Sequence, residues 1–357
     1  MADSIKLSQI KSLDGREFIP QPLKLTDLPA PAYIQFAVAP LVGYMAPLDS
    51  ALGQAEVRVK LYDYGTVSLR FSFPFTGTWQ EFLQMSRKLR FAEEIQQAAW
   101  RSLEQILVSI NDTLSKPHKS ESQKEFLEDY FVAEVESFVT PMTAGELLRE
   151  HSGALATLVS VEEKPLSYLQ VEEAMKECFS YCENELTVLT WDQAFVFDDR
   201  AGADTVDSII EFANTQLVEL RTYDRRLDRH LDEIYRSKSE SLRTNVWQSW
   251  TSGRLLAERQ AERLRHLLVD VRELSDRATN AIKIIGCAYY ARLYGGIASR
   301  LSLSQWQKQV ETKLDCVGEL YRYSHDQAEL ARSEFLEMIV IFLIALEVLI
   351  GIFGRSH

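Results

Sequence analysis

An uninterrupted apolar segment near the end of the chain constrains this sequence more than any other feature. Residues 335–353 read FLEMIVIFLIALEVLIGIF, a run of 19 residues without Lys, Arg, Asn, Gln or Pro. A helix rises about 1.5 Å per residue, and the hydrocarbon core of a bilayer is about 30 Å thick. The run has nearly that length and only four residues follow it, so we expect a single transmembrane helix that anchors the protein by its tail.

Two carboxylates, Glu337 and Glu347, oppose the insertion of this segment, but its 14 Leu, Ile, Val and Phe side chains outweigh them by a narrow margin. Glu337 lies one turn inside the run and reaches the headgroup region. Glu347 lies deeper and needs a proton, a partner helix or water. We therefore expect both acids to help assemble a homo-oligomer. The alternative is a buried helix of a soluble protein.

Length and charge bound the remaining possibilities. A chain of 357 residues exceeds what one hydrophobic core usually holds, which predicts two or three folded units. A net charge of −13 opposes general attraction to nucleic acid, so no direct nucleic-acid binding is expected. The N-terminal residues contain neither a secretory signal nor an organellar presequence. These features predict a single-pass protein of the cytoplasmic (inner) membrane, with the bulk of the chain in the cytoplasm.

The N-terminal part of the chain contains two hairpin patterns. Residues 56–73 alternate apolar and polar side chains around Asp63-Tyr64-Gly65, which predicts a β-hairpin with one buried face, and Gly65 is expected to supply the positive φ that its turn needs. Residues 185–199 place Trp191-Asp192 between two similar arms, which makes this pair equivalent to Tyr62-Asp63. A long helical pattern follows each hairpin, at residues 79–110 and 204–235. We expect an α/β domain at residues 1–202 built from duplicated hairpin-helix units.

Beyond residue 203 the apolar residues recur at spacings of three and four, which is typical of long packed helices. The predicted order is a helical region at 203–302, a helical stalk at 303–334 and the transmembrane helix at 335–353. Gly295-Gly296 is expected to break the chain between the last two helices. The predicted fold class is therefore α+β.

No sequence motif specifies a reaction. A P-loop, a dinucleotide fingerprint, an H-E-x-x-H pair and a G-x-S-x-G turn are all missing from the sequence, and we expect no metal and no cofactor. Asp63 and Asp192 at the hairpin tips are typical of acids that stabilise turns by bonding nearby backbone. The alternative is that they form a pair of catalytic carboxylates.

Two segments together resemble the required-for-meiotic-nuclear-division family, a domain of unknown function. They are VKLYDYGTVSL at residues 59–69 and LEMIVIFLIALEV at residues 336–348, although Met338 stands where that family has tryptophan. The resemblance implies an α/β N-terminal region, long helices and one terminal membrane segment. It also implies tethering as the role, since eukaryotic relatives support translation at the mitochondrial inner membrane and no reaction is established.

The sequence thus predicts a non-enzymatic, membrane-anchored scaffold or tether that binds an unidentified protein partner. One alternative is an enzyme that uses Asp63 and Asp192. Another is an ion-transport protein, because the layout also resembles magnesium channels of the CorA type; the single span and the lack of a Gly-Met-Asn motif argue against it.

Overall fold

A computed structural model gives the architecture of the chain. It describes residues 2–13, 16–20, 23–25, 32–34, 38–117, 127–160, 164–241 and 288–319, together with the single positions 162, 322, 337, 340, 341, 343 and 344. The chain divides into two compact units, one formed by Met1–Thr222 with Leu274–Trp306 and the other by Tyr223–Glu273 with Gln307–His357. The fold is mixed α and β, as predicted from the sequence.

The strands all lie in the first unit, within the described part of the chain. They are β1 (Ala2–Ile5), β2 (Ser12–Leu13), β3 (Arg16–Glu17), β4 (Ile19–Pro20), β5 (Leu23–Leu25), β6 (Ala32–Ile34), β7 (Leu41–Tyr44), β8 (Leu48–Ser50), β9 (Gly53–Leu61), β10 (Val67–Ser72), β11 (Leu114–Pro117), β12 (Phe131–Val135), β13 (Cys178–Phe179), β14 (Leu186–Leu189) and β15 (Gln193–Phe197).

The described helices are α1 (Trp79–Arg90), α2 (Glu93–Ile110), α3 (Ala144–Val159), α4 (Tyr168–Ala174), α5 (Arg200–Ser241), α6 (Ala288–Arg300) and α7 (303–319). Capping boxes explain where two of them begin. The Thr78 hydroxyl accepts the Glu81 backbone N–H at 3.3 Å while the Glu81 carboxylate accepts the Thr78 backbone N–H at 2.8 Å, and Thr143 and Glu146 repeat this arrangement before α3.

The first sheet is antiparallel and has the strand order β10-β9-β7-β4, with β8 also paired to β9. The predicted hairpin at 56–73 is confirmed as β9 and β10, in which Leu61 pairs with Val67. One face of β9 carries the buried side chains of Val59 and Leu61, which pack with Ile106 and Ile110 of α2. This face and α2 form the first hydrophobic core.

The second sheet has the order β12-β15-β14-β13. The predicted hairpin at 185–199 is confirmed as the antiparallel pair β14 and β15, and β12 joins β15 in parallel. Its apolar side chains pack against α3 in a second core, which includes Leu147, Leu155 and Phe195. Each of these two larger sheets therefore has its own helix and core. In the described part of the chain, three further two-stranded sheets pair β1 with β11, β2 with β3 and β5 with β6.

In the second unit, the described parts of α5 and α7 are joined by polar contacts. Gln309 donates a hydrogen bond to Asp224 at 3.0 Å, and the Lys313 ammonium lies 2.7 Å from the carboxylates of both Asp224 and Asp228. The buried residues of α7, which include Val310 and Val317, recur at the spacing expected of a packed helix.

Two helical predictions need correction. The pattern at 79–110 forms two helices, which meet at Phe91-Ala92. Gly295-Gly296 does not separate helices but lies inside α6, and a Cβ at residue 296 would lie 2.4 Å from the Phe179 ring. The glycine is needed for close packing, and α6 ends instead before Ser302, whose φ is +54°.

The predicted transmembrane segment lies mostly outside the described residues, and so do the end of the predicted stalk and Glu347. Glu337, Val340, Ile341, Leu343 and Ile344 are described, and each is helical. None of the helices that the structure describes combines the length and the apolar composition that a membrane crossing requires.

Candidate functional site

The tip of the first hairpin is a three-residue loop. Tyr62 donates its backbone N–H to the Thr66 carbonyl at 3.0 Å, and the Gly65 N–H bonds the Tyr62 carbonyl at 3.1 Å. Gly65 has a φ of +84°, as the pattern predicted, because such a loop needs a residue in the left-handed region. Tyr62 is only 1% exposed, so it is a core residue, while Asp63 and Tyr64 belong to the loop.

The tip of the second hairpin is a shorter, two-residue turn. Thr190 donates its backbone N–H to the Gln193 carbonyl at 2.8 Å, which leaves Trp191 and Asp192 as the central pair. Trp191 is 70% exposed. The Asp192 carboxylate accepts hydrogen bonds from Arg90 at 3.1 Å and from the Thr190 hydroxyl at 3.4 Å. Asp192 therefore stabilises its own turn and ties it to α1.

The predicted equivalence of Tyr62-Asp63 with Trp191-Asp192 is wrong. In backbone hydrogen bonding Tyr62 corresponds to Thr190, because each residue donates its N–H to the carbonyl of the residue just after the loop. One aromatic ring is buried in a core and the other faces solvent. The two hairpins also belong to separate sheets. They do not present Asp63 and Asp192 as a symmetric pair of catalytic carboxylates.

A dense group of charges, most of them buried or partly buried, covers the polar face of the first hairpin. The sequence predicted one buried face for β9 and β10, but Lys60 on the opposite face is only 3% exposed. The N-terminal half of α5 lies over that face and directs acidic residues at it. The basic members are Arg58, Lys60 and Arg70, and the acidic members are Glu134, Asp204, Asp207 and Glu211.

The ion pairs in this group form two connected sets. Glu211 contacts Lys60 directly and lies 3.7 Å from Arg58. The Arg70 guanidinium contacts Asp207 and lies 3.1 Å from Glu134, which belongs to the second sheet. The charges therefore join the first hairpin to α5 and to β12.

The surroundings of two of these acids shift their pKa values in opposite directions. Burial alone raises the pKa of Glu211, but Lys60 and Arg58 outweigh it and lower that pKa below its usual value. Burial raises the pKa of Asp207 well above its usual range, and the neighbouring Glu134 carboxylate raises it further. The basic neighbours thus favour the ionised form of Glu211, whereas burial favours the protonated form of Asp207.

Sequence reasoning missed this charged group, although its basic members follow the periodicity of a strand and three of its acidic members follow that of a helix. Arg58 and Lys60 alternate along a strand, while Asp204, Asp207 and Glu211 recur at spacings of three and four on a helix. Each pattern alone resembles a solvated face. The signal that could have found the group is the pairing of the two patterns. A basic strand face and an acidic helix face of matching length have complementary charge, and this indicates that they pack together.

A cleft of about 490 Å³ opens at the second hairpin tip. Its walls are Trp191, the C-terminal ends of α3, α4 and α6, and the residues that follow α4. The charged residues that line it are Glu173, Lys176, Glu177 and Arg300. Of the predicted site residues that the structure describes, only Trp191 lines this cleft, and no sequence pattern had indicated a cleft at this position.

The charges of the cleft are unevenly paired. Lys176 lies 3.8 Å from Glu173, and both side chains are more than half exposed. Among the residues that the structure describes, Glu177 and Arg300 have no ion-pair partner, and the Nε and Nη2 of Arg300 are buried without a hydrogen bond. The cleft can therefore bind charged groups of either sign. Within the same described residues, no cluster of three His, Cys, Asp or Glu side chains has metal-site geometry.

Comparisons with known proteins identify relatives of the N-terminal region. The chain is 23% identical over 236 residues to the uncharacterized protein MJ0711 of Methanocaldococcus jannaschii, an alignment that covers 66% of this chain and 69% of the relative. No solved structure matches the chain. The model of the family described as "Uncharacterized protein MJ0711, N-terminal domain" matches residues 1–205. A domain of unknown function is thus confirmed, and because the match covers more than half of the sequence, this chain belongs to the MJ0711 N-terminal domain family.

Proposed function

We propose that this protein is a non-enzymatic scaffold or tether, held at the cytoplasmic face of the inner membrane by one transmembrane helix at residues 335–353. One observation carries the proposal. Val340, Ile341, Leu343 and Ile344 are helical and 53%, 65%, 55% and 56% exposed. Apolar surface concentrated in this way is unfavourable in water, whereas the acyl chains of a bilayer accommodate it.

Assembly through the same segment follows from its acids. Glu337, Val340, Ile341 and Ile344 are spaced so that they share one helix face. A carboxylate at membrane depth is stabilised by a partner helix, and Glu347 lies three residues beyond Ile344. The proposed anchor therefore associates with copies of itself, and the folded region binds a protein partner that remains to be identified. The resemblance of residues 59–69 and 336–348 to the required-for-meiotic-nuclear-division family supports the tethering role.

Fractionation of cells tests the anchor. The full chain is expressed beside a version that stops after Arg332, and the membranes are washed with alkaline carbonate. We expect only the full chain to resist the wash. Recovery of both proteins in the soluble fraction would overturn the proposal.

Substitutions in the full chain test whether membrane insertion needs the apolar character of the tail and not merely its presence. Leu343→Arg with Ile344→Arg should release the protein from the membrane, because each arginine costs about 2.5 to 3.5 kcal/mol near the centre of a span. The matched control is Val108→Arg with Val139→Arg, which alters apolar side chains that are also exposed, at 80% and 106%. The control protein should stay in the membrane.

The assembly is tested separately. Glu347→Leu should preserve or strengthen insertion while it weakens the oligomer, because it removes the acid that needs a partner. The measurement is the mass of the detergent-solubilised particle. An unchanged mass would remove Glu347 from the oligomer interface.

A further inference from the structure

We propose that the cleft beside Trp191 binds a zwitterionic small molecule, an α-amino acid with an aromatic side chain. Its carboxylate would pair with Arg300, its ammonium group with Glu177, and its ring would lie against Trp191. All three residues line the same cleft. This binding site does not depend on the membrane segment.

The arginine carries the first part of the inference. Nε and Nη2 lie on the same edge of a guanidinium, and together they present the two parallel donors that a carboxylate accepts. In Arg300 both atoms are buried without a hydrogen-bond partner. Unpaired buried donors are costly, so rotation of the side chain toward a carboxylate in the cleft would be favourable.

The glutamate carries the second part. An ideal Cβ at Gly296 would lie 3.3 Å from Oε2 of Glu177, which places this carboxylate beside α6. Arg300 follows Gly296 by one helical turn on the same side of α6. The Glu177 carboxylate thus lies beside Gly296, about one turn, or 5 to 6 Å along α6, from the point where the Arg300 side chain is attached.

The other charges near the cleft do not compete with this arrangement. Glu173 and Lys176 lie beside each other. Asp192 is already bonded by Arg90, which also bonds Asp129 at 2.6 Å. Residues at the C-terminal ends of α3, α4 and α6 line the cleft, and the partial negative charge of a helix C-terminus favours an ammonium group nearby.

The volume of the cleft and the exposed Trp191 ring determine the size of the ligand and its need for an aromatic side chain. A volume of about 490 Å³ is in the range of small-molecule sites. Trp191 is 70% exposed although its hairpin is otherwise buried, and an indole face favours contact with another planar ring. An aromatic amino acid satisfies all three features at once.

Equilibrium dialysis of the full chain in detergent tests the proposal, with L-phenylalanine as the probe. Two analogues each lack one charge: 3-phenylpropionate has no ammonium group, and phenethylamine has no carboxylate. We expect L-phenylalanine to bind at least tenfold more tightly than either analogue. Equal affinity for an analogue, or no binding of L-phenylalanine, would overturn the proposal.

Variants assign the two charges. Arg300→Gln and Glu177→Gln should each weaken L-phenylalanine binding at least tenfold, and Trp191→Ala should weaken L-phenylalanine more than L-alanine. The matched controls are Arg292→Gln on the exposed side of α6 and Glu172→Gln on α4, which should change affinity less than twofold. Thermal unfolding confirms that each variant is folded. If Glu177→Gln tightens binding, the site takes anions only and the proposal fails.

Discussion

Lys60 on β9 and Glu211 on α5, which are 151 residues apart in the sequence, form an ion pair whose side chains are only 4% and 13% exposed. The pair connects the first hairpin to a helix that follows the second sheet. Because water does not screen these charges, each one depends on the other for compensation. The polar face of the hairpin is therefore a packed interface and not a solvated surface.

Removal of one partner should be strongly destabilising. Lys60→Met leaves Glu211 with the Ser68 hydroxyl and the more distant Arg58, and we expect a loss of about 3 kcal/mol in the free energy of unfolding. Denaturant unfolding measures it. Lys176→Met, which breaks an exposed pair, is the control and should cost less than about 1 kcal/mol. The double variant Lys60→Met with Glu211→Leu should lose less than the sum of the two single changes; strict additivity would argue against a direct pair.

Gly296 should not tolerate a methyl group. In Gly296→Ala the new Cβ would meet the Phe179 ring at 2.4 Å, and we expect a loss of about 1 to 3 kcal/mol in stability. Gly295→Ala is the matched control on the same helix. No atom lies within 4 Å of a Cβ there, so alanine should stabilise the helix by about 0.5 to 1 kcal/mol. Opposite signs in thermal unfolding confirm the close contact, and equal effects would contradict it.

Asp198 should make stability depend on pH. Burial, together with the nearby Glu185 carboxylate, raises its pKa to about 7, so the folded protein binds this proton more tightly than the unfolded chain does. The resulting stabilisation is complete below about pH 4 and is lost as the pH rises through about 7. Asp198→Asn keeps an acceptor for the Asp199 N–H but removes the charge. We expect the variant to melt a few degrees above the natural protein at pH 8 and at nearly the same temperature at pH 4.

The control for this titration is Asp112→Asn, which alters an exposed carboxylate. Its melting temperature relative to the natural protein should not vary between pH 4 and pH 8. If the advantage of Asp198→Asn is the same at both pH values, the raised pKa is not the cause.

The first hairpin should depend on the backbone conformation of its loop. Gly65→Ala places a Cβ at a φ of +84° and should cost about 1 kcal/mol. Gly65→Asn should cost less, because asparagine enters the left-handed region more readily. The comparison is made by denaturant unfolding. A smaller loss for alanine than for asparagine would mean that the loop rearranges.

Local patterns in the sequence were sufficient for much of the fold. The alternation at 56–73 and 185–199 located both hairpins, and Gly65 identified the loop that needs positive φ. The helical spacing beyond residue 203 located α5. These features depend on neighbours a few residues apart, and the chemistry of such neighbours is visible in the sequence.

The same local reasoning failed where distant segments meet. It treated Trp191 as equivalent to Tyr62, because both precede an acid at a hairpin tip, although one ring is exposed and the other is core. It also read Gly296 as a helix break, because the sequence does not record that Phe179 approaches α6.

The sequence by itself determined the hairpins, the helices and the apolar segment at residues 335–353, because side-chain periodicity and turn chemistry act over one or two turns of chain. Only the tertiary structure decided that α5 directs Glu211 at Lys60, that β12 runs parallel to β15, and that Arg300 and Glu177 line one cleft with Trp191. Those arrangements depend on which buried faces pack together. That choice is made by complementary shape and charge across segments far apart in the chain, and it leaves no local signature.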